Sequence, residues 1–275
     1  MRITAAAQAA NIVKKANHSI LIYGPPKTGK SRLVGTAAKI DKIKRIFWID
    51  VENGSEVLLN MGLTDSELSK IVLFKIPDTR DNPRAIETVL RMMTSKAPVT
   101  VCDEHGIVNC EICSKANKPM EKFFLRGCTH DDLVVIDSGS QLGISALNAT
   151  CLGKGDLYKP QHDDWGNVGK WLSDILLIVQ QAQFTNMVVI THELSTEGED
   201  GVERIYPLMG TKAFSANVGR YFGTVAYTLT KLGKHSAASS STYKPNIVTG
   251  SRVNVRMEDS KELCMADLLI KGGVL

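Results

Sequence analysis

Short apolar segments recur along the chain, separated by polar turns and by stretches in which apolar residues return at helical spacing. Several of these segments are apolar throughout their middle, which is typical of strands covered on both faces of a parallel sheet. The pattern therefore predicts an α/β fold with a mostly parallel sheet flanked by helices. The predicted strands are residues 20–23, 45–51, 71–76, 132–137, 187–192 and 223–229.

Between these strands, helical spacing predicts helices at residues 4–16, 32–40, 83–95 and 165–183. The second half of the chain is less regular. An acidic stretch with glycine at residues 194–204 predicts a mobile loop or hairpin, and residues 211–221 predict a loop with a short helix. Residues 231–246 are rich in Ser and Lys without an apolar period, which predicts a flexible arm. Alternating residues at 248–257 predict a C-terminal β extension.

The residues after the first predicted strand match the phosphate-binding pattern G-x-x-x-x-G-K-[ST] without a mismatch, and a predicted helix follows them. Backbone N–H groups at the start of a helix attract a polyphosphate. Pro25 and Pro26 have no N–H, so we expect the donors in residues 27–31. Lys30 would contact the outer phosphates, and the Ser31 hydroxyl would ligate Mg²⁺. The predicted nucleotide-binding residues of this segment are Gly24, Pro25, Pro26, Lys27, Thr28, Gly29, Lys30, Ser31 and Arg32.

Two acidic residues lie at the carboxyl ends of predicted strands, where open α/β sheets bind ligands. Asp137 ends an apolar strand downstream of the phosphate-binding pattern, the usual position of a carboxylate that holds Mg²⁺ beside the nucleotide. AAA-type machines place the water-activating carboxylate directly after that Asp, but Ser138 follows here. Glu52, which follows the strand at residues 45–51, is therefore the predicted general base.

The strand predicted at residues 187–192 ends in Thr191 and His192. Their position predicts contact with the outer phosphate or with its attacking water. A solvent-exposed imidazole beside a turn is the alternative interpretation of His192. The predicted catalytic residues are Lys30, Glu52, Asp137 and His192.

A Cys/His-rich insertion, residues 97–130, interrupts the alternation of strands and helices. It contains four soft ligands within twelve residues: Cys102, His105, Cys110 and Cys113. This spacing predicts a closed structural zinc site, which would order a polar segment that has no core of its own. Two alternatives remain open: Cys128 or His130 replaces one ligand, or the thiols are unrelated and lie in a surface loop.

The composition is that of an ordinary globular protein, with 275 residues of which 43% are hydrophobic and 23% charged. The length fits a single domain over residues 1–275. The net charge of +4 permits a nucleic-acid partner without requiring one. No apolar run approaches the length of a membrane helix and no signal peptide is recognisable, so we expect a cytoplasmic protein without a membrane partner. The six cysteines are expected to be reduced.

Two predicted strands resemble those of a known family. Residues 46–54, Ile-Phe-Trp-Ile-Asp-Val-Glu-Asn-Gly, look like the strand that carries the catalytic glutamate in RecA-type recombinases. Residues 187–193 are similar to the strand that ends in the nucleotide sensor of those proteins, with His192 where a glutamine is usual. The resemblance is closest to the RecA-like ATPases of bacteriophages, the Sak-type single-strand annealing proteins, and it extends from about residue 18 to about residue 257.

This resemblance implies a RecA-like P-loop NTPase core with ATP and Mg²⁺, and hydrolysis stimulated by DNA. It also implies a homo-oligomer, ring or filament, on single-stranded DNA in phage recombination, annealing or repair. A cation from the next subunit would stabilise the transition state. The candidates for that cation are Lys231, Lys234, Arg220 and Arg252. The candidates for DNA contact are Lys212, Arg204, Tyr206 and Phe214.

Two other functions are compatible with a phosphate-binding loop. A small-molecule or nucleoside kinase would need a pocket for a second substrate and a basic lid, and no lid pattern is evident in the sequence. A non-hydrolysing module would use ATP as a switch while the Cys/His-rich insertion binds a protein partner.

Overall fold

A mostly parallel β-sheet forms the centre of the molecule in the computed structural model, which describes residues 19–182, 184–260 and 263–270. The helix predicted for residues 4–16 lies outside these described residues. The strands are β1 (Ser19–Gly24), β2 (Arg45–Asp50), β3 (Ile71–Lys75), β4 (Val99–Val101), β5 (Glu121–Phe123), β6 (Asp132–Asp137), β7 (Asn186–Glu197), β8 (Glu203–Pro207), β9 (Thr224–Lys231), β10 (Lys234–Ala238) and β11 (Gly250–Ser251).

Helices cover both faces of the sheet. The α-helices are α1 (Lys30–Gly35), α2 (Asp65–Leu68), α3 (Ala85–Thr94), α4 (Glu111–Lys115), α5 (Gly139–Cys151), α6 (His162–Gln181), α7 (Lys212–Ser215) and α8 (Met265–Leu269). Short 3₁₀ helices occupy Thr36–Lys39, Ser55–Asn60, Leu125–Gly127, Val218–Tyr221 and Met257–Asp259. In the described part of the chain, no helix has the length and apolarity needed to cross a membrane.

The order of the main sheet is β10-β9-β1-β7-β6-β2-β3, with β8 paired to β7 and β11 to β9. All neighbouring pairs from β9 to β3 are parallel, and β7 lies between β1 and β6. The predicted α/β fold, a mostly parallel sheet flanked by helices, is therefore confirmed. Parallel pairing brings the carboxyl ends of these strands to one side of the sheet, which we call the nucleotide edge; Gly24, Asp50, Asp137 and His192 lie there.

Successive residues of each central strand face different helical layers. In β1, Leu21 and Tyr23 pack in the core beneath α3, α5 and α6, whereas Ile20 and Ile22 pack in the core that includes α1 and α8. Because successive side chains of a strand point to opposite faces, a strand between two layers must be apolar at every position. This requirement explains the continuous apolar runs in the sequence.

The Cys/His-rich insertion contains its own two-stranded antiparallel sheet, β4 and β5. Phe123 of β5 attaches the insertion to the main body, since its ring lies 5.4 Å from that of Phe47 and 5.8 Å from that of Phe74, both edge to face. Aromatic pairs at these distances add to the free energy of burial. The insertion is therefore packed against the β2–β3 end of the sheet.

The structure differs from the sequence-based prediction between residues 231 and 257. The stretch predicted as a flexible arm, residues 231–246, contains β10, in which Ala237 and Ala238 are buried. Its small side chains carry little hydrophobic signal, and its order comes from backbone pairing with β9. The strand predicted at residues 248–257 is reduced to β11. Arg252 and Val253 form a turn directly after β11, and Asn254 has a φ of 55°, so the extended conformation does not continue.

Candidate nucleotide-binding and hydrolysis site

The phosphate loop, residues 24–31, connects β1 to α1 and requires glycine at both of its motif positions. Gly24 has a φ of 150°, and a Cβ atom at this position would lie 2.4 Å from the carbonyl oxygen of Thr228. Gly29 has a φ of 85°, in the left-handed region that favours glycine. The two glycines therefore allow the loop backbone to turn tightly against β9.

Lys30 is buried within the phosphate loop. Its Nζ atom donates hydrogen bonds to the carbonyl oxygens of Gly24, at 3.0 Å, and Pro25, at 2.7 Å. Burial lowers the pKa of Lys30, whereas the nearby carboxylates of Asp137 and Glu52 oppose that shift. The ammonium group thus lies among loop oxygens and carboxylates, where an incoming phosphate would be a strong acceptor for it.

Ser31 and Asp137 meet across the nucleotide edge. The Ser31 hydroxyl donates to Oδ2 of Asp137 at 2.8 Å. Burial raises the pKa of Asp137 to about 7, and the negative charges of Asp50 and Glu52 add to the increase. A buried carboxylate beside a hydroxyl supplies the hard oxygen ligands that Mg²⁺ prefers, so these two residues fit that ion.

Glu52 and His192 form a second pair at this edge. Nε2 of His192 lies 2.7 Å from Oε1 of Glu52, although the two residues are 140 positions apart. The hydrogen bond from His192 holds the pKa of Glu52 below its usual value. Glu52 is therefore ionised at neutral pH, which is the state that a general base requires. The Nδ1 atom of His192 is buried and has no hydrogen-bond partner among the described residues.

Two residues outside the predicted site position this pair. Oxygen atoms of Asp50 accept hydrogen bonds from the backbone N–H groups of Glu52, Gly54 and Ser55, which holds the turn after β2. The Ser140 hydroxyl, at the start of α5, accepts from the backbone N–H of His192 at 2.8 Å and donates to a backbone carbonyl. Asp50 is recognisable as a strand-end acid in the sequence, but no local pattern marks the contact of Ser140.

The remaining loop residues have different environments. The Thr28 hydroxyl is within 2.7 Å of the Thr228 hydroxyl on β9 and donates to the carbonyl of Pro25. Arg32 is exposed on α1, and Lys27 has a φ of 62°. The Thr191 hydroxyl is buried without a hydrogen-bond partner in the described structure. Thr228, which contacts Thr28 from β9, is a neighbour of the loop that sequence reasoning missed, because 200 residues separate the two threonines.

The four predicted zinc ligands form one group, the Cys/His cluster: Cys102, His105, Cys110 and Cys113. Their ligand atoms all lie within 4.8 Å of one another. Nδ1 of His105 is 3.2 Å from the Cys113 sulfur and 3.6 Å from the Cys110 sulfur. Cys128 instead packs in the main core, where its thiol faces the carbonyl of Phe124. Cys128 is therefore not a member of this group.

The candidate trans-acting cations lie on opposite edges of the sheet. Lys231 and Lys234 are at the carboxyl end of β9, beside the phosphate loop of their own chain. Arg220 and Arg252 lie near the amino end of β9, where Arg252 donates its backbone N–H to the carbonyl of Gly223. The guanidinium of Arg220 hydrogen-bonds the hydroxyl of the adjacent tyrosine at 2.8 Å.

The candidate DNA contacts lie on or after the β7–β8 hairpin, which extends β7 beyond His192. Arg204 pairs with Asp200, with its Nη1 atom donating to Oδ1 at 2.9 Å. Phe214 is partly buried and packs against the main core, and Tyr206 is half-buried. Lys212 is exposed.

Comparison with known proteins assigns a family to the chain. A protein-family model described as AAA domain matches residues 16–237. The fold and the phosphate loop define a P-loop ATPase. The chain belongs to the AAA-domain family. No curated protein matches it.

Solved structures with a similar fold include recombination and secretion proteins. The RadB recombinase is 17% identical, with a TM-score of 0.40 over 80% of this chain and 79% of that one. The ATPase EscN, from the type III secretion system of enteropathogenic E. coli, is 15% identical, with a TM-score of 0.47 over 93% and 51%. A prototypical type III secretion ATPase of pathogenic bacteria is 16% identical, with a TM-score of 0.46 over 92% and 62%.

Proposed function

We propose that this ATPase acts on single-stranded DNA in recombination, annealing or repair of the bacteriophage type, and that DNA stimulates its hydrolysis of ATP. The contact of 2.7 Å between Glu52 and His192 carries the proposal. His192 lies where β7 leaves the core and continues into the β7–β8 hairpin. A ligand that moves the hairpin would therefore shift the partner of the proposed base. The DNA itself is inferred from the resemblance to RecA-type proteins.

In the proposed hydrolysis, the ionised carboxylate of Glu52 accepts a proton from the attacking water. The water oxygen bonds to the outer phosphorus as the bond from that phosphorus to the bridging oxygen of ADP breaks. Lys30 would donate to the outer phosphates after leaving the loop carbonyls that it now contacts. Bound Mg²⁺, held through Ser31 and Asp137, would neutralise charge on the phosphates.

His192 would act as the nucleotide sensor. Its Nε2 atom contacts Glu52. An outer phosphate is a competing acceptor of higher charge, so binding of ATP would draw the imidazole away from Glu52. The released carboxylate could then orient the water.

A head-to-tail homo-oligomer would place the edge opposite the nucleotide edge of one subunit against the nucleotide edge of the next. This arrangement favours Arg220 and Arg252 as sources of the trans-acting cation. The two lysines lie instead beside the phosphate loop of their own chain. Turnover would then depend on assembly.

Single-stranded DNA is expected to raise the rate of phosphate release, and Lys212→Ala should weaken DNA binding while leaving basal hydrolysis unchanged. Lys212 is exposed. Removal of one phosphate contact should reduce the slope of log affinity against log salt concentration by about 1, because one counterion fewer is released on DNA binding. Phosphate release and DNA affinity would be measured over a range of salt concentrations.

Lys42→Ala is the matched control for this test, because Lys42 is also exposed but precedes β2 on the edge opposite the nucleotide edge. Unchanged hydrolysis on addition of single-stranded DNA would contradict the DNA proposal. Transfer of phosphate to an added nucleoside without phosphate release would identify a kinase instead.

We further propose that the Cys/His cluster holds a structural zinc ion within the insertion at residues 97–130. Three of its side chains are buried thiols, and the histidine completes a four-ligand set with no position left for water. The distances of 3.2 and 3.6 Å from His105 to two sulfurs fit ligands that share one tetrahedral ion. A closed site of this kind stabilises structure and does not activate water.

Purified protein is expected to contain about one zinc per chain, and Cys110→Ser should lower both the zinc content and the resistance of the insertion to proteolysis. Metal analysis and limited proteolysis measure the two effects. Cys151→Ser is the control, since Cys151 lies on α5 outside the cluster. A zinc-free native protein with a protease-resistant insertion would refute the zinc site without affecting the ATPase assignment.

A further inference from the structure

The β9–β10 hairpin lies directly beside the phosphate loop of its own chain. The first contact is made by Thr228: its hydroxyl lies 2.7 Å from that of Thr28, and its carbonyl oxygen packs against Gly24. Farther along the hairpin, the ring of His235 lies against Gly29. A Cβ atom on that glycine would be 3.1 Å from both Cγ and Cδ2 of the imidazole. The hairpin therefore supports the loop at both of its motif glycines.

The His235 side chain is held on one side and open on the other. Its Nδ1 atom lies 3.1 Å from the hydroxyl of Thr230, across the hairpin. The residue is nevertheless exposed. An imidazole that is fixed in position beside a phosphate loop and still accessible offers a preformed surface for a flat ligand group.

The sheet order determines which end of a nucleotide would reach this surface. Asp137 and His192 belong to β6 and β7, and Glu52 follows β2; these three strands all lie on one side of β1. The outer phosphate must lie on that side, because these groups are the ones that act on it. The nucleoside end of a triphosphate held by the loop after β1 must then leave toward the other side, where β9 and β10 lie.

The charge of the hairpin agrees with this direction. Lys231 and Lys234 are paired directly across the two strands, and both are exposed. Like charges directly opposite each other on antiparallel strands are destabilising. An anion bound nearby would offset this repulsion, and the inner phosphate of a nucleotide that leaves the loop on this side is such an anion.

We propose that His235 contacts the nucleoside of the bound nucleotide, with its ring stacking on the base. The inference rests on the proposed ATP binding and adds a specificity-determining residue to it. Stacking on an aromatic ring is open to any base, so His235 contributes affinity for a nucleoside over a bare polyphosphate rather than selection among bases.

The test compares the affinities of ATP and inorganic tripolyphosphate, which has the phosphates but no nucleoside. His235→Ala is expected to weaken ATP binding about tenfold, as the loss of one stacking contact predicts, and to leave tripolyphosphate binding unchanged. His235→Phe should restore most of the ATP affinity. His162→Ala is the control, since the side chain of His162 is fully exposed at the start of α6.

An equal loss for both ligands would mean that His235 only shapes the phosphate loop, and would overturn the proposal. Unchanged ATP affinity in His235→Ala, or failure of His235→Phe to recover affinity, would overturn it as well. A native protein that binds tripolyphosphate no more weakly than ATP would also exclude a nucleoside contact. Failure of the native protein to bind either ligand would instead refute the proposed ATP binding.

Discussion

Glu52→Gln is expected to lower the turnover of ATP by about 10³-fold, within the range that general-base catalysis contributes, while the affinity for ATP stays nearly the same. Glutamine preserves the shape of the side chain and an oxygen within reach of His192, which lies 2.7 Å from the carboxylate. It cannot accept the proton of the attacking water at neutral pH. Steady-state phosphate release gives kcat, and equilibrium binding of ATP gives the affinity.

Glu56→Gln provides the matched control for this experiment, because Glu56 is an exposed acid four residues away, in the 3₁₀ helix that follows the turn. It should retain the native rate. A normal rate in Glu52→Gln would remove this residue from the mechanism. A loss of ATP affinity with an unchanged kcat would show that Glu52 only supports nucleotide binding.

Lys30→Ala is expected to weaken ATP binding about 100-fold, because hydrogen bonds to charged groups contribute about 1.5–3 kcal/mol each and the ammonium would contact the outer phosphates. Its Nζ atom donates hydrogen bonds to two loop carbonyls. The alanine variant therefore loses the ligand contact together with the anchor that positions the loop. ATP affinity measured by calorimetry, with turnover measured at saturating ATP, separates binding from the later step.

Lys39→Ala serves as the control for charge alone, since Lys39 is exposed at the end of the 3₁₀ helix that follows α1. Thermal unfolding of both variants shows whether the folded state is retained. ATP affinity in a folded Lys30→Ala protein equal to that of Lys39→Ala would contradict the assigned role of the phosphate loop.

The candidate site was predictable from the sequence only where its chemistry is local. The phosphate loop is one contiguous segment, and its glycines, lysine and serine stand in a fixed spacing. Glu52 and Asp137 could be predicted from the sequence because a carboxylate at the end of an apolar strand is a recognisable pattern. Ser140, Thr228 and His235 belong to no such pattern, since each contacts the site through folding of distant segments.

The same distinction explains two places where the structure differs from what the sequence suggested. Small polar residues at 231–246 resembled a flexible arm, but backbone pairing with β9 orders β10 whatever the composition of its side chains. The spacing of the cysteines in the sequence also allowed Cys128 to be a zinc ligand. The path of the chain after β5 instead carries its thiol into the main core, away from Cys113.

The sequence by itself determined the alternating α/β fold, the phosphate loop and the group of four soft ligands. Each of these features depends on residues that are close together in the sequence: apolar runs for strands, a fixed motif for the loop, and ligand spacing for the metal site. Tertiary structure alone decided that Glu52 meets His192, that Ser31 meets Asp137, and that His235 lies against Gly29. The physical reason is the strand order of the sheet. Which strand lies beside β1 depends on the packing of the whole core, and it decides which distant side chains share the nucleotide edge.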